Sequence, residues 1–404
     1  MSALRGSQSA PRTLLAELMY AHFTNDVYNF LLPPLLVVMG HDFGLTYTEG
    51  GLLVALYLAV SGLAQTPVAR FAEKRGLQKR ILVAGFLLMS FSVLMMGISS
   101  NFLEFVLDSA VLGLALSPYH AQAIGALSSA FKESSRGGAV GLHQLGGNLG
   151  MIAAPLLVGL LFAVAGLSWF DSLALLALPA VLAALFLHFA LRMPSDANPS
   201  VGRSPDGRKA ALMALSVVFF LAIAYAFNAV ATRAFSSFAP SYIDFLTKNV
   251  AMSELLTSFV VASGTVAFPL GGFLSDRMGR WRVVAGSYLL AGVFYLVYSA
   301  EGGLFGLPLL FAAFFFGYMG SAPALAYAAE LGPSGMANSS VALVFGAGTV
   351  GNAAGPFLVG FLIDRMGFLN AFRVASIFAM LAAVPLLPLR GARGTKRSSR
   401  HVES

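Results

Sequence analysis

Twelve apolar runs, each close to the roughly 20 residues a helix needs to cross about 30 Å of bilayer hydrocarbon, constrain this chain more than any other feature. They fall at 14–38, 50–70, 81–99, 103–129, 139–164, 170–191, 210–236, 255–275, 282–300, 304–329, 337–362 and 368–389. With 57% of residues hydrophobic and 11% charged, the 25 Lys and Arg and 18 Asp and Glu are too few to clothe soluble domains of this size. A segment in lipid must close its own backbone hydrogen bonds, and runs of this length do so as helices. The expected class is an all-α membrane protein with twelve transmembrane helices. Gly and Pro inside several runs are compatible with it, because neighbouring helices can satisfy the freed backbone groups.

The basic residues set an orientation. If both termini are cytoplasmic, only Arg233, Lys248, Arg365 and Arg373 of the 25 Lys and Arg fall on the far side, which is the positive-inside pattern. The net charge of +7 is thereby dispersed over short loops on one side, without the basic, aromatic-studded patch that nucleic acid requires. The basic tail "RGARGTKRSSR" suits contact with anionic lipid head groups. The first run contains Asp26 and lacks a small-residue cleavage site, so it is expected to persist as an uncleaved helix. With no cysteine there is no disulfide, thiolate metal site or thiol redox chemistry, and neither a cofactor nor a metal is expected.

The chain reads as one unit used twice. A polar stretch, "RMPSDANPSVGRSPDGRK", separates six runs from six, predicting bundles at 1–191 and 210–389, a cytoplasmic linker at 192–209 and a basic cytoplasmic tail at 390–404. "GNLGMIAAPLLVGLL" at 147–161 and "GTVGNAAGPFLVGFL" at 348–362 share eight of fifteen residues at an offset of 201. "FAEKRGLQKR" and "FLSDRMGRWR" form a weaker pair at nearly the same spacing if one residue is inserted. Two pseudo-symmetric six-helix bundles joined by a linker describe a transporter that rocks around a midplane site.

The loop "GGFLSDRMGRWR" carries Gly272, Asp276, Arg277, Gly279 and Arg280 in the pattern G-x-x-x-D-R-x-G-R, and so resembles the signature of the major facilitator superfamily. In the first half Arg70 stands in the glycine position, Glu73 replaces the aspartate and Lys74 the arginine, while Gly76 and Arg80 remain. Gly272 is expected to let helices approach closely, and the carboxylate to pair with arginine or cap a helix at the rim, together with Glu330 closing the tenth run. These residues are the candidate gate. Within the superfamily the chain is similar to the fosmidomycin-resistance exporters through "HFTND", "SPYHAQ", "GLHQLGGNLG", "YAAELGP" and "FGAGTVGNAAGPFLVG". That resemblance implies export of small organic or anionic compounds such as antibiotics, a bacterial inner membrane location and no enzymatic activity.

Polar residues inside the runs are the candidate site. His22, Asn25, Asp26 and Asn29 stand at i, i+3, i+4 and i+7, on one helical face. Counting about 1.5 Å per residue from Leu14 puts Asp26 about 18 Å deep, where an unpaired carboxylate costs about 2.5–3.5 kcal/mol. Asp26 is therefore the expected proton carrier, with His120 in the fourth run as a relay near neutrality. His22, Asn25, Asn29, Gln144, Asn148, Arg233 and Tyr327 are the candidate substrate contacts. Bland alternatives stand beside these: hydrogen bonding between helices for His22, packing for Gln144 and Asn148, and snorkelling of Arg233 to the outer head groups. Asp108, near an outer helix end, is expected to be solvated.

The expected function is secondary active, proton-coupled efflux of a small molecule by a monomer embedded in lipid, without nucleic acid. A proton-coupled importer or a facilitator fits the same residues. A membrane enzyme does not: HExxH, GxSxG, the P-loop and a cysteine nucleophile are all missing.

Overall fold

The computed structural model describes residues 3–193, 208–332 and 337–390. Most of the expected linker, and the tail beyond Arg390, lie outside the described residues. Every regular element among the described residues is helical. Ten stretches are long and apolar enough to cross a membrane, and one of them, Ser339–Leu389, is 51 residues long. It holds two crossings, because the helix Ala337–Leu381 breaks at Gly367, whose φ of 76° lies in the left-handed region open to glycine. The first crossing, whose polar face lowers its hydropathy, completes the expected twelve.

In chain order the helices are α1 (Ala3–Asn29), α2 (Leu32–Phe43), α3 (Tyr47–Arg75), α4 (Gln78–Ile98), α5 (Phe102–Leu116), α6 (Tyr119–Ala130), α7 (Glu133–Val158), α8 (Trp169–Ala190), α9 (Arg208–Thr247), α10 (Val250–Met278), α11 (Arg280–Glu301), α12 (Leu307–Met319), α13 (Ser321–Leu331) and α14 (Ala337–Leu381). Three crossings are broken in two, each at proline or glycine, the residues least suited to a helix interior. Pro33 and Pro34 open α2, where missing N–H groups cost least, Pro118 precedes α6, and Gly320 separates α12 from α13. The chain past Pro155 widens into a π turn over Gly159–Val164. Starts are capped by side chains: Thr46 and Glu49 form a reciprocal capping box on α3, Asn101 accepts from the Glu104 N–H, and Ser168 from the Asp171 N–H.

The chain forms two compact units: Met1–Pro199 with Ser237–Ala262, and Ser200–Ser236 with Ser263–Ser404. Membership follows packing, so the end of α9 and the start of α10 belong to the first unit. Each unit uses the repeated glycine motif in the same way. In the first, a Cβ on Gly146 or Gly150 would fall 2.4 Å from the Met19 carbonyl oxygen or 2.2 Å from that of Phe23, so α7 lies backbone against backbone on α1. In the second, Gly351 and Gly355 meet the carbonyls of Ala226 and Val230 on α9, each at 2.3 Å. Only glycine permits such contact.

Tyr28 ties α1 to α8. Its hydroxyl donates to the Leu176 carbonyl at 2.5 Å and accepts from the Ala180 N–H at 3.0 Å. Those two backbone groups would bond to each other in an unbroken helix. Pro179 opens the turn, and the hydroxyl inserts into the gap. Large apolar side chains such as Leu63 (80% exposed) and Phe189 (79%) remain on the surface, as a lipid-facing protein requires.

Two expectations are corrected. Asp108 is buried, not solvated: its carboxylate accepts from the Ser99 hydroxyl at 2.6 Å. A Cβ on Gly272 would meet nothing within 4 Å, whereas on Gly271 it would sit 1.9 Å from the Met319 carbonyl, so the close approach is made one residue earlier.

Tyr28→Phe removes the inserted hydroxyl and leaves two buried backbone groups of α8 without it. The purified protein is expected to lose about 1–3 kcal/mol of stability, read as a lowered melting temperature in detergent. An unchanged melting temperature would show that the bridge contributes nothing.

Candidate functional site

The polar face predicted on α1 is real and is buried against α6 and α7 of the first unit. His22 is 1% exposed, Asn25 1% and Asp26 4%. His22 Nδ1 lies 3.0 Å from the His143 carbonyl oxygen. A carbonyl only accepts, so Nδ1 carries a hydrogen, and Nε2 is left facing Asp26 Oδ2 at 3.4 Å. A neutral ring would present a lone pair to a carboxylate lone pair, which is repulsive. A single proton on the pair, either on the imidazole, giving an ion pair, or on the carboxyl, giving a neutral pair, relieves that repulsion.

The surroundings hold this pair in place. Asn25 Nδ2 donates to Asp26 Oδ1 at 3.0 Å. His143 stacks on His22 with ring centroids 4.3 Å apart, and His120 stands edge-on to it at 5.3 Å. Nitrogens of His22 and His120 and an oxygen of Asp26 all lie within 4.8 Å of one another, so the predicted carrier and relay are brought together. Tyr119 packs on His22 and donates its hydroxyl to the Leu18 carbonyl at 2.6 Å. Among the described residues the only ion-pair partner of Asp26 is His22. A Cβ on Gly147 would fall 2.5 Å from His22 Nε2 and 2.6 Å from Asp26 Oδ2, so the space over the pair exists because this residue is glycine.

His143 was not foreseen as a site residue. Its signal was present: His143, Gly147 and Gly150 stand at i, i+4 and i+7, one face of α7, one residue from the predicted Gln144 and Asn148. Gln144 and Asn148 are half-buried on the adjacent strip, and Asn29, also half-buried, lends its carbonyl to the Tyr57 hydroxyl at 2.6 Å.

Other candidates lie in the second unit. Arg233 is 6% exposed, so it does not snorkel to a head group as expected but is enclosed on α9. Tyr327 belongs to an apolar cluster with Tyr288, Ala324 and Val344, and its hydroxyl donates to the Leu389 carbonyl at 3.1 Å.

The signature loop forms a three-way tie within the second unit. Arg280 Nη2 reaches Asp276 Oδ1 at 2.7 Å, Nε reaches Glu330 Oε1 at 3.2 Å, and Nη1 donates to the Ser275 hydroxyl, joining α10, α11 and α13. The loop glycine is a backbone requirement, since Gly279 has φ 95° and its first-unit counterpart Gly76 φ 62°. Arg277 lies 4.1 Å over the Phe273 ring, and Arg75 5.6 Å over Phe71. By this stacking the counterpart of Arg277 is Arg75, not Lys74. Glu73 and Arg80 are exposed and form no ion pair among the described residues, so the tie has no equivalent in the first unit.

Gly147→Ala is expected to push His22 or Asp26 out of place and lower the melting temperature of the purified protein. Gly141→Ala, on the same helix with nothing within 4 Å of its Cβ, serves as the contrast and should be neutral or stabilising by about 0.5–1 kcal/mol. Equal melting temperatures for the two variants would refute the packing described for Gly147.

Comparison with known proteins agrees with this architecture. The Major Facilitator Superfamily profile matches residues 18–251 and 221–402. The chain is 24% identical over 387 residues to the fosmidomycin resistance protein of Escherichia coli (strain K12), covering 92% of each. It is 25% identical over 385 residues to the uncharacterized MFS-type transporter YfnC of Bacillus subtilis (strain 168), covering 92% of this chain and 89% of that one. Among solved structures, a bacterial homolog to the human lysosomal transporter Spinster has a TM-score of 0.77 at 17% identity, covering 93% of this chain and 96% of that one. The nucleoside transporter NupG has 0.78 at 12%, covering 93% and 99%. Profile, relatives and fold agree, and the chain belongs to the major facilitator superfamily of membrane transporters.

Proposed function

We propose that the protein is a proton-coupled exporter of small organic or anionic compounds, acting as a monomer in the bacterial inner membrane with both termini cytoplasmic. The observation that carries this reading is the buried His22–Asp26 pair, which shares one proton and has no Lys or Arg partner among the described residues. Removing that proton leaves a carboxylate beside a neutral imidazole in a dry setting, which is costly. Adding a second makes the pair a net cation, which is also costly. Each change therefore favours whichever conformation opens the pair to water, and an alternating-access cycle takes up and releases protons at this point.

His120, less buried than His22, passes the proton between Asp26 and the open side, and His143 fixes which nitrogen of His22 takes part. Asn25, Asn29, Gln144 and Asn148 offer hydrogen bonds to cargo within the first unit; Arg233, enclosed in the second unit, is a separate candidate contact for an anionic group. The Arg280, Asp276 and Glu330 tie, with the looser Glu73 and Arg80 side, stiffens the cytoplasmic rim against which the gate moves. Export, rather than import, rests on the likeness to the fosmidomycin resistance protein. A proton-coupled importer uses the same residues with the opposite substrate gradient.

Proteoliposomes loaded with a pH dye and supplied with a panel of phosphonates and organic antibiotics test the reading. Wild-type protein is expected to drive a panel compound against its gradient when a proton gradient is imposed, with proton movement in the opposite direction. Asp26→Asn is expected to keep substrate exchange at equal concentrations and lose gradient-driven accumulation. Proton-coupled accumulation that survives Asp26→Asn would overturn the coupling assignment.

A further inference from the structure

A second polar site lies in the first unit, away from the histidine cluster and built from residues the transport reading does not use. Where α2 ends, a cavity of about 200 Å³ is bounded by His41, Thr46, Tyr47, Phe238, Ser241 and Asp244, among others. Asp244 is 6% exposed and Ser241 7%. They stand at i and i+3 on α9 and so share a face. Asp244 Oδ2 is held by His41 Nε2 at 2.9 Å, but Oδ1 and the Ser241 hydroxyl are buried without a hydrogen-bond partner in the structure. Unsatisfied groups of this kind, both lining one cavity, ask for a donor.

The walls specify what kind of donor. The Tyr47 and Phe238 rings meet edge to face at 6.2 Å and both border the cavity, so a carboxylate and aromatic faces surround one space, the combination that recognises an organic ammonium ion. A bare alkali ion is poorly served there, since it needs several oxygens in a close shell. The size excludes a drug-sized ligand. We propose that this cavity is a binding site for a small alkylammonium ion, with Asp244 as its counter-charge, Ser241 as a hydrogen-bond partner and the Tyr47 and Phe238 rings as its walls.

Isothermal titration of the purified full-length protein with butylammonium, 1-pentanol and sodium chloride tests the site. Saturable binding is expected for butylammonium alone, weakened by about tenfold or more in Asp244→Asn, since a charge-assisted hydrogen bond is lost, and unchanged in Asp26→Asn. Should Asp244→Asn fail to fold by gel filtration and circular dichroism, Tyr47→Leu decides, because it removes a ring and leaves the carboxylate. Unchanged affinity in these variants, equal binding of the alcohol, or binding of sodium in place of the amine would overturn the proposal. So would loss of binding in Asp26→Asn, which would put the ammonium ion at the histidine cluster. Failure of coupled transport in vesicles would leave this result untouched, because the two sites share no residue.

Discussion

Backbone contact between α1 and α7 is the constraint on which the rest depends. Gly146, Gly147 and Gly150 let the two helices touch carbonyl to Cα, and this closeness places the His143 carbonyl against His22 Nδ1. A hydrogen bond to that carbonyl fixes the ring, and the fixed ring turns its other nitrogen toward Asp26. Any side chain at 147 would fill the place where imidazole and carboxylate meet. A packing feature and a chemical one thus become the same feature: the close approach of α7 gives His22 its carbonyl partner, while Asn25 donates to Asp26.

The same glycine spacing, repeated about 201 residues later, serves a different neighbour. Gly348 faces the Tyr225 ring where Gly147 faces His22 and Asp26, and Gly351 and Gly355 again meet carbonyls on the partner helix. The duplicated scaffold is thus preserved as packing while its chemistry has diverged: titratable groups cluster in the first unit, and the charged rim tie of Arg280 is made in the second. The two units share a packing scheme and differ in the polar groups it carries.

Much of this was legible in the sequence, because the determinants are periodic or local. Run length showed the crossings, the i, i+3, i+4, i+7 spacing showed the face of α1, and the repeated glycine motif showed where helices touch. What escaped depends on contacts that leave no pattern. His143 acts through its main-chain oxygen and its stacking, which any residue identity can hide. The single inserted residue between Arg277 and Gly279 obscured the match of Arg75 with Arg277. Asp108 looked like a rim residue until Ser99, nine positions earlier, was seen to cover it. His41 and Asp244 are 203 positions apart, too far for any local reading to join them.

Nitrogen-15 NMR of histidine-labelled protein addresses the shared proton most directly. The chain has only six histidines, and a His22→Gln difference spectrum isolates the ring of interest. The account predicts a His22 ring protonated at Nδ1, with an Nε2 resonance that moves when Asp26 is replaced by Asn. A ring protonated only at Nε2, or an Nε2 signal indifferent to that replacement, would contradict it.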